Sequence, residues 1–122
     1  MQDDLARLQG AWAVTALEVD GAALPDAMLA AAEIRLEGTR FTSLGMGAPY
    51  AGALSLATDS APKRFTLTFA EGPEAGRANR GIYELDGETW RICLDMTGGP
   101  APEAFATSPG SGRALQTLKR KA

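Results

Sequence analysis

Gly81-Ile82-Tyr83-Glu84-Leu85-Asp86-Gly87-Glu88-Thr89-Trp90-Arg91-Ile92-Cys93-Leu94-Asp95 is the stretch whose reading decides the fold. Two runs of alternating apolar residues meet at Asp86-Gly87. Asp-Gly between such runs is a strong hairpin signal, because a tight turn needs positive φ and Gly supplies it without strain. With a two-residue turn, Tyr83, Leu85, Trp90, Ile92 and Leu94 share one face, and Glu84, Arg91, Cys93 and Asp95 share the other. The first set is expected to face a barrel interior. The second is then a solvated cross-strand charge group, worth roughly a few tenths of a kcal/mol per pair. A three-residue turn would shift the pairing by one and mix the faces.

Working outward, the same short-period pattern recurs. Arg64-Phe65-Thr66-Leu67-Thr68-Phe69 places three large apolar residues on one face and polar ones on the other. Residues 33–37 and 40–44 alternate around a turn at Gly38, and 51–56 form a weaker strand with Leu54 and Leu56 on one face. Residues 103–106, carrying Phe105, read as a short strand and 114–119 as the last one. Near the start, 11–19 read as a strand with Trp12, Val14 and Ala16 on one face and Ala13, Thr15, Leu17 and Val19 on the other. Residues 45–50, 58–62, 71–76, 96–102 and 108–112 are rich in turn residues and read as loops. One helix is expected near 25–32, with Pro25 at its first position and an Ala-rich body, placed as a lid over one barrel end. Residues 3–8 suggest a single helical turn capped by Asp3 or Asp4. The expectation is one all-β domain over 1–122: an antiparallel barrel of about eight strands.

Composition narrows the function. The chain has 122 residues, enough for one core and too few for two. Its net charge is −3, which argues against nucleic acid or an anionic membrane as partner, since both call for clustered Lys and Arg. The run Lys119-Arg120-Lys121 reads as a solvated tail. There is no histidine, which removes the commonest general base, His-ligated haem and His-containing zinc sites. No cofactor or metal is called for. Cys93 is the single cysteine, so no intramolecular disulfide forms. That suits the cytoplasm, as does an N-terminus without a basic region and apolar core. Cys93 reads as a small buried hydrophobe; the nucleophile alternative needs a neighbouring cation, and Arg91 lies two residues away on the same face.

Gly10-Ala11-Trp12 resembles the G-x-W start of lipocalins and related calycins. In those barrels the Trp plugs one end and a basic residue from near the last strand packs over its ring. The resemblance therefore implies a structural plug made of Trp12 with Arg113 or Arg120. Further segments follow in order: Leu8-Gln9-Gly10-Ala11-Trp12, Glu18-Val19-Asp20-Gly21, Pro62-Lys63, Gly81-Ile82-Tyr83-Glu84-Leu85, Ile92-Cys93-Leu94, Phe105-Ala106-Thr107 and Leu118-Lys119-Arg120. Together they resemble a small lipocalin-like bacterial domain family first catalogued in planctomycetes. The likeness spans nearly the whole chain. It implies a lipocalin-like fold and little about activity. Ala101-Pro102 stands where that family usually carries Arg-Pro, and 44–53 match it poorly.

Three functions are compatible with these residues. The leading one is a barrel that binds a small apolar molecule without chemistry, lined by Phe41, Phe65, Leu67, Tyr83 and Trp90, with Tyr83 as polar handle. The second is a filled barrel acting as a protein-interaction module, with contacts carried by exposed edges or the loop 98–102. The third is a non-metal cyclase or isomerase in which a Tyr, Asp or Arg moves a proton. A packed core is the competing reading for every lining residue; the small residues between the large ones favour a cavity.

Overall fold

A computed structural model describes residues 4–44, 50–57, 63–71 and 76–121. The elements are α1 (Asp4–Arg7), β1 (Gly10–Val19), β2 (Ala22–Ala23), α2 (Asp26–Leu29), β3 (Glu33–Glu37), β4 (Arg40–Leu44), β5 (Tyr50–Ala57), β6 (Lys63–Glu71), β7 (Ala78–Asp86), β8 (Thr89–Asp95) and β9 (Arg113–Arg120). From β3 onward each strand pairs antiparallel with the next. β9 then pairs with β1, which also pairs with β3. Eight strands thus close an antiparallel barrel, and β2 is a two-residue extra strand on β1. Closure leaves the eight no open edge. The all-β, eight-stranded expectation holds. Of the loops read over 45–50, 58–62 and 71–76, residues 45–49, 58–62 and 72–75 lie outside the described residues, as does Asp3, while Tyr50 and Glu71 belong to the strands β5 and β6. No helix among the described residues is long and apolar enough to cross a membrane.

The β7–β8 hairpin has a two-residue loop, but one position later than Asp86-Gly87. Asp86 pairs with Thr89, so Gly87 and Glu88 make the turn. Gly87 takes φ 58°, at the first turn position, where type II′ geometry demands Gly. A whole-residue shift of a two-residue loop changes cross-strand partners but not faces. Tyr83 opposes Ile92 and Leu85 opposes Trp90, on the interior side, while Glu84 opposes Arg91 outside.

The outer face departs from expectation. Glu84 and Arg91 are solvated and paired, Nη1 to Oε1 at 2.8 Å, but Asp95 is buried, beside Cys93, which is the small buried hydrophobe expected of it. The β8–β9 connection, 96–112, covers them. Pro102 is fully buried, the Cys93 thiol lies 3.6 Å from the Ala106 carbonyl, and the Arg91 guanidinium stands 4.6 Å from the Phe105 ring centre. Residues 103–105 are bends and 106 is irregular, so 103–106 is not a strand, and of these Phe105 alone is half-buried. The Thr107 hydroxyl donates to Glu18, Gly21 N–H donates to that hydroxyl, and Gly112 N–H donates to Asp20, tying the connection to the β1–β2 turn.

β1 also departs from strict alternation. Its pairing with β9 shifts between Val14 and Ala16, so Thr15 is the extra residue of a bulge. Trp12 and Val14 are buried before the bulge, and Leu17 is buried after it, where alternation would have put Ala16. The helix expected near 25–32 is a single turn, Asp26–Leu29. It stops because the Ala32 carbonyl accepts the Val14 N–H (3.1 Å), which returns the chain to the sheet ahead of Glu33. Leu29 enters the core and Met28 stays in solvent.

The two barrel ends differ. One is closed by α1 and the short β3–β4 and β7–β8 turns. There Trp12 is fully buried and its Nε1–H donates to the Leu8 carbonyl at 2.8 Å. The Arg120 guanidinium lies 4.4 Å from the Trp12 ring centre, and it donates to the carbonyls of Gln9 (2.8 Å) and Arg7. Arg113 belongs to the other end, opposite Asp95, because β9 runs the barrel's full height between the two arginines. At the closed end too, the Asp4 carboxylate accepts the Tyr83 hydroxyl (2.7 Å) and Lys63 Nζ (2.8 Å). The opposite end carries the long connections, including 20–32 and 96–112.

Candidate functional site

The inward faces of the strands do not fill the barrel. They leave a cavity of about 290 Å³ between them. Val14, Leu17 and Val19 of β1, Ile34 and Leu36 of β3, and Leu54 of β5 form one side. Phe65, Leu67 and Phe69 of β6 and Trp90, Ile92 and Leu94 of β8 form the other, with Phe41 of β4, Ala114 of β9 and Met96 just past β8. Ser43, Asn79 and Gln116 are the polar members. No charged side chain belongs to the lining among the described residues.

Local sequence explains the open space. Gly81 sits on the inward face of β7, opposite Phe65. A Cβ there would stand 2.5 Å from Cζ of Phe65 and 2.5 Å from the Cys93 carbonyl oxygen. Only Gly lets the Phe65 ring lie across β7, where it meets Tyr83 edge-on at 6.3 Å. Phe41 and Phe69 make a second edge contact, 5.6 Å at 81°. Trp90 stacks edge-on against Trp12 at 5.5 Å, so the cavity floor rests on the end plug.

Of the five residues expected to line a cavity, Phe41, Phe65, Leu67 and Trp90 do, and Tyr83 does not. Tyr83 has the right parity but lies too near the closed end, and its hydroxyl binds Asp4. It cannot serve as the polar handle. Asn79, Gln116 and Ser43 stand in that place instead. Asn79 was hidden in Arg77-Ala78-Asn79-Arg80, which reads as a polar entry to the hairpin. Counting back by twos from Tyr83 through Gly81 reaches it, and the same count from Leu118 reaches Gln116.

Two polar atoms of the lining residues are unmatched. Asn79 and Trp90 are each 3% exposed, and Asn79 Oδ1 and Trp90 Nε1 have no hydrogen-bond partner among the described residues. Leaving such groups unpaired costs about 1–3 kcal/mol each. Chemistry elsewhere is sparse. Burial pushes the Cys93 thiol above its ordinary value, which disfavours the thiolate, and Arg91 is engaged by Glu84 and Phe105. Among the described residues no cluster of His, Cys, Asp or Glu is placed to hold a metal.

In comparison with known proteins, no family model, no curated protein and no solved structure matches the chain.

Proposed function

We propose that this barrel holds one small, uncharged, mostly apolar molecule and performs no chemistry on it. The observation that carries this reading is the 290 Å³ cavity with an apolar wall and no charged lining residue among those described. A cavity of about 150 Å³ accepts a benzene ring, so the volume here suits a molecule of about two rings. A buried carboxylate or ammonium would find no counter-charge on this wall. The proton-moving groups a cyclase would use lie elsewhere: Tyr83 and Asp4 bind each other at the closed end, and Asp95 accepts bonds from Thr97 and Gly99. A filled interaction module fits poorly with an open interior, and the loop 98–102 buries Pro102 on the barrel itself. The acidic balance and single buried cysteine fit a cytoplasmic protein with neither nucleic acid nor membrane as partner.

The test is a titration with borneol, a neutral bicyclic alcohol, followed by the emission of the two tryptophans. Saturable change is expected in the natural chain and its loss in Ala114→Phe, which fills the cavity from β9 while the melting temperature holds or rises. No saturable change up to the solubility limit, or equal binding by Ala114→Phe, would contradict the proposal.

A further inference from the structure

The unmatched polar groups say which uncharged molecules fit, given the binding reading above. Asn79 is the only asparagine in the chain, and it lies on β7 opposite Leu67 as part of a mostly apolar cavity wall. A strand interior is a poor place for Asn, and an apolar wall is a poor place for a carboxamide. The chain holds one there, 3% exposed, with its Oδ1 unpaired among the described residues. The fold does not use that oxygen. β7 is held by its backbone ladders to β6 and β8, and the Asn79 side chain has no hydrogen bond in either.

We infer that Asn79 is the specificity-determining residue of the cavity, and that it selects a neutral ligand carrying a hydrogen-bond donor, a hydroxyl or an amide N–H. Oδ1 is the unmatched acceptor of a carboxamide whose Nδ2–H2 can donate, so a ketone can meet only the donor and a hydrocarbon meets neither, whereas a hydroxyl or amide N–H relieves Oδ1. The Trp90 Nε1–H is also unmatched, but Trp90 pairs with Leu85, well along β7 from Asn79 toward the closed end, so it is a separate donor. Ser43 and Gln116, from β4 and β9, add two neutral groups that both donate and accept. A carboxylic acid satisfies the donor requirement only when protonated, and no Arg or Lys of the described lining would hold its anion. The ligand class is therefore a neutral alcohol or amide with an apolar body, distinct from the fatty acids and hydrocarbons that an apolar cavity alone would admit.

Borneol and camphor test this, because they share one carbon skeleton and differ in carrying a hydroxyl or a ketone. Calorimetric titration of the natural chain is expected to give borneol about a five- to tenfold lower Kd than camphor. In Asn79→Leu the ratio falls to about one, and in Asn79→Thr, whose hydroxyl oxygen puts an acceptor back, part of the preference returns. A melting curve of each variant reports the fold; Asn79→Leu is expected to melt at or above the natural chain, since it removes an unpaired buried amide. Equal affinity for the two probes in the natural chain, or an undiminished preference in Asn79→Leu, overturns the inference and leaves the cavity reading standing. Binding of neither probe overturns both.

Discussion

Two charged residues close one end of the barrel, and each acts through several contacts at once. Arg120 lies over the Trp12 ring and donates to the Gln9 and Arg7 carbonyls, so it joins the last strand to α1. Arg120→Met is expected to cost about 2 kcal/mol, the sum of a partly buried cation–π contact and lost hydrogen bonds, read as a lower urea midpoint. Arg113→Met, at the other end, is expected to cost well under half of that. Asp4 makes the complementary case. Its carboxyl is held below the ordinary value first by the hydrogen bond from Lys63 and then by that from Tyr83, against burial, which pushes it up. Glu33 is lowered in the same sense by Lys121 and Arg35. Because these folded values lie below the unfolded ones, the stabilisation is complete above an unfolded carboxyl pKa of about 4 and is lost as pH falls through the folded values. Urea midpoints are therefore expected to drop below about pH 4, and less steeply in Asp4→Asn. A pH-independent midpoint in that range would remove both carboxylates from the stability account.

At the scale of elements, alternation in the sequence identified the strands, and the misreadings have separate physical causes. The β7–β8 faces were legible because parity survives a whole-residue displacement of a two-residue turn. β1 was not, because its bulge at Thr15 changes phase in mid-strand. The clue was present in Trp12-Ala13-Val14-Thr15-Ala16-Leu17, where two small or polar residues separate Val14 from Leu17 instead of one. Deleting Thr15 restores a period of two with Trp12, Val14, Leu17 and Val19 all inward, so that variant is expected to fold. Deleting Ala13 makes Trp12 and Val14 neighbours on opposite faces, so one of these two core side chains turns outward, and it is expected to abolish folding. Circular dichroism melts of the two deletions check this, and equal loss in both would remove the bulge as the cause of the phase change. The helix near 25–32 was over-read because Ala propensity is weak beside the sheet contact that takes Ala32. Gly81 tests the wall itself: Gly81→Ala is expected to cost about 2–3 kcal/mol by denaturant melt, since the new Cβ meets both the Phe65 ring and a β8 carbonyl.

For the whole molecule, length, turn frequency and alternation were enough to predict a closed antiparallel barrel. The residues of its site were only partly legible. Large aromatics on clean strands, Phe41, Phe65 and Trp90, declared their side by parity. Tyr83 shared that parity, but its height in the barrel depends on strand stagger, which no single strand encodes. Asn79 looked like loop chemistry because its neighbours are Arg77 and Arg80. Whether small residues between large ones leave space is a property of three-dimensional packing, and here they leave about 290 Å³. The central claim is that this space is an apolar, occupiable cavity. A crystal structure under xenon pressure tests it most directly, because xenon enters dry apolar cavities without needing a polar partner. Xenon density bounded by Phe41, Phe65, Leu67, Trp90 and Ile92 is the predicted result. Those side chains packed against one another, with no xenon between them, would contradict it.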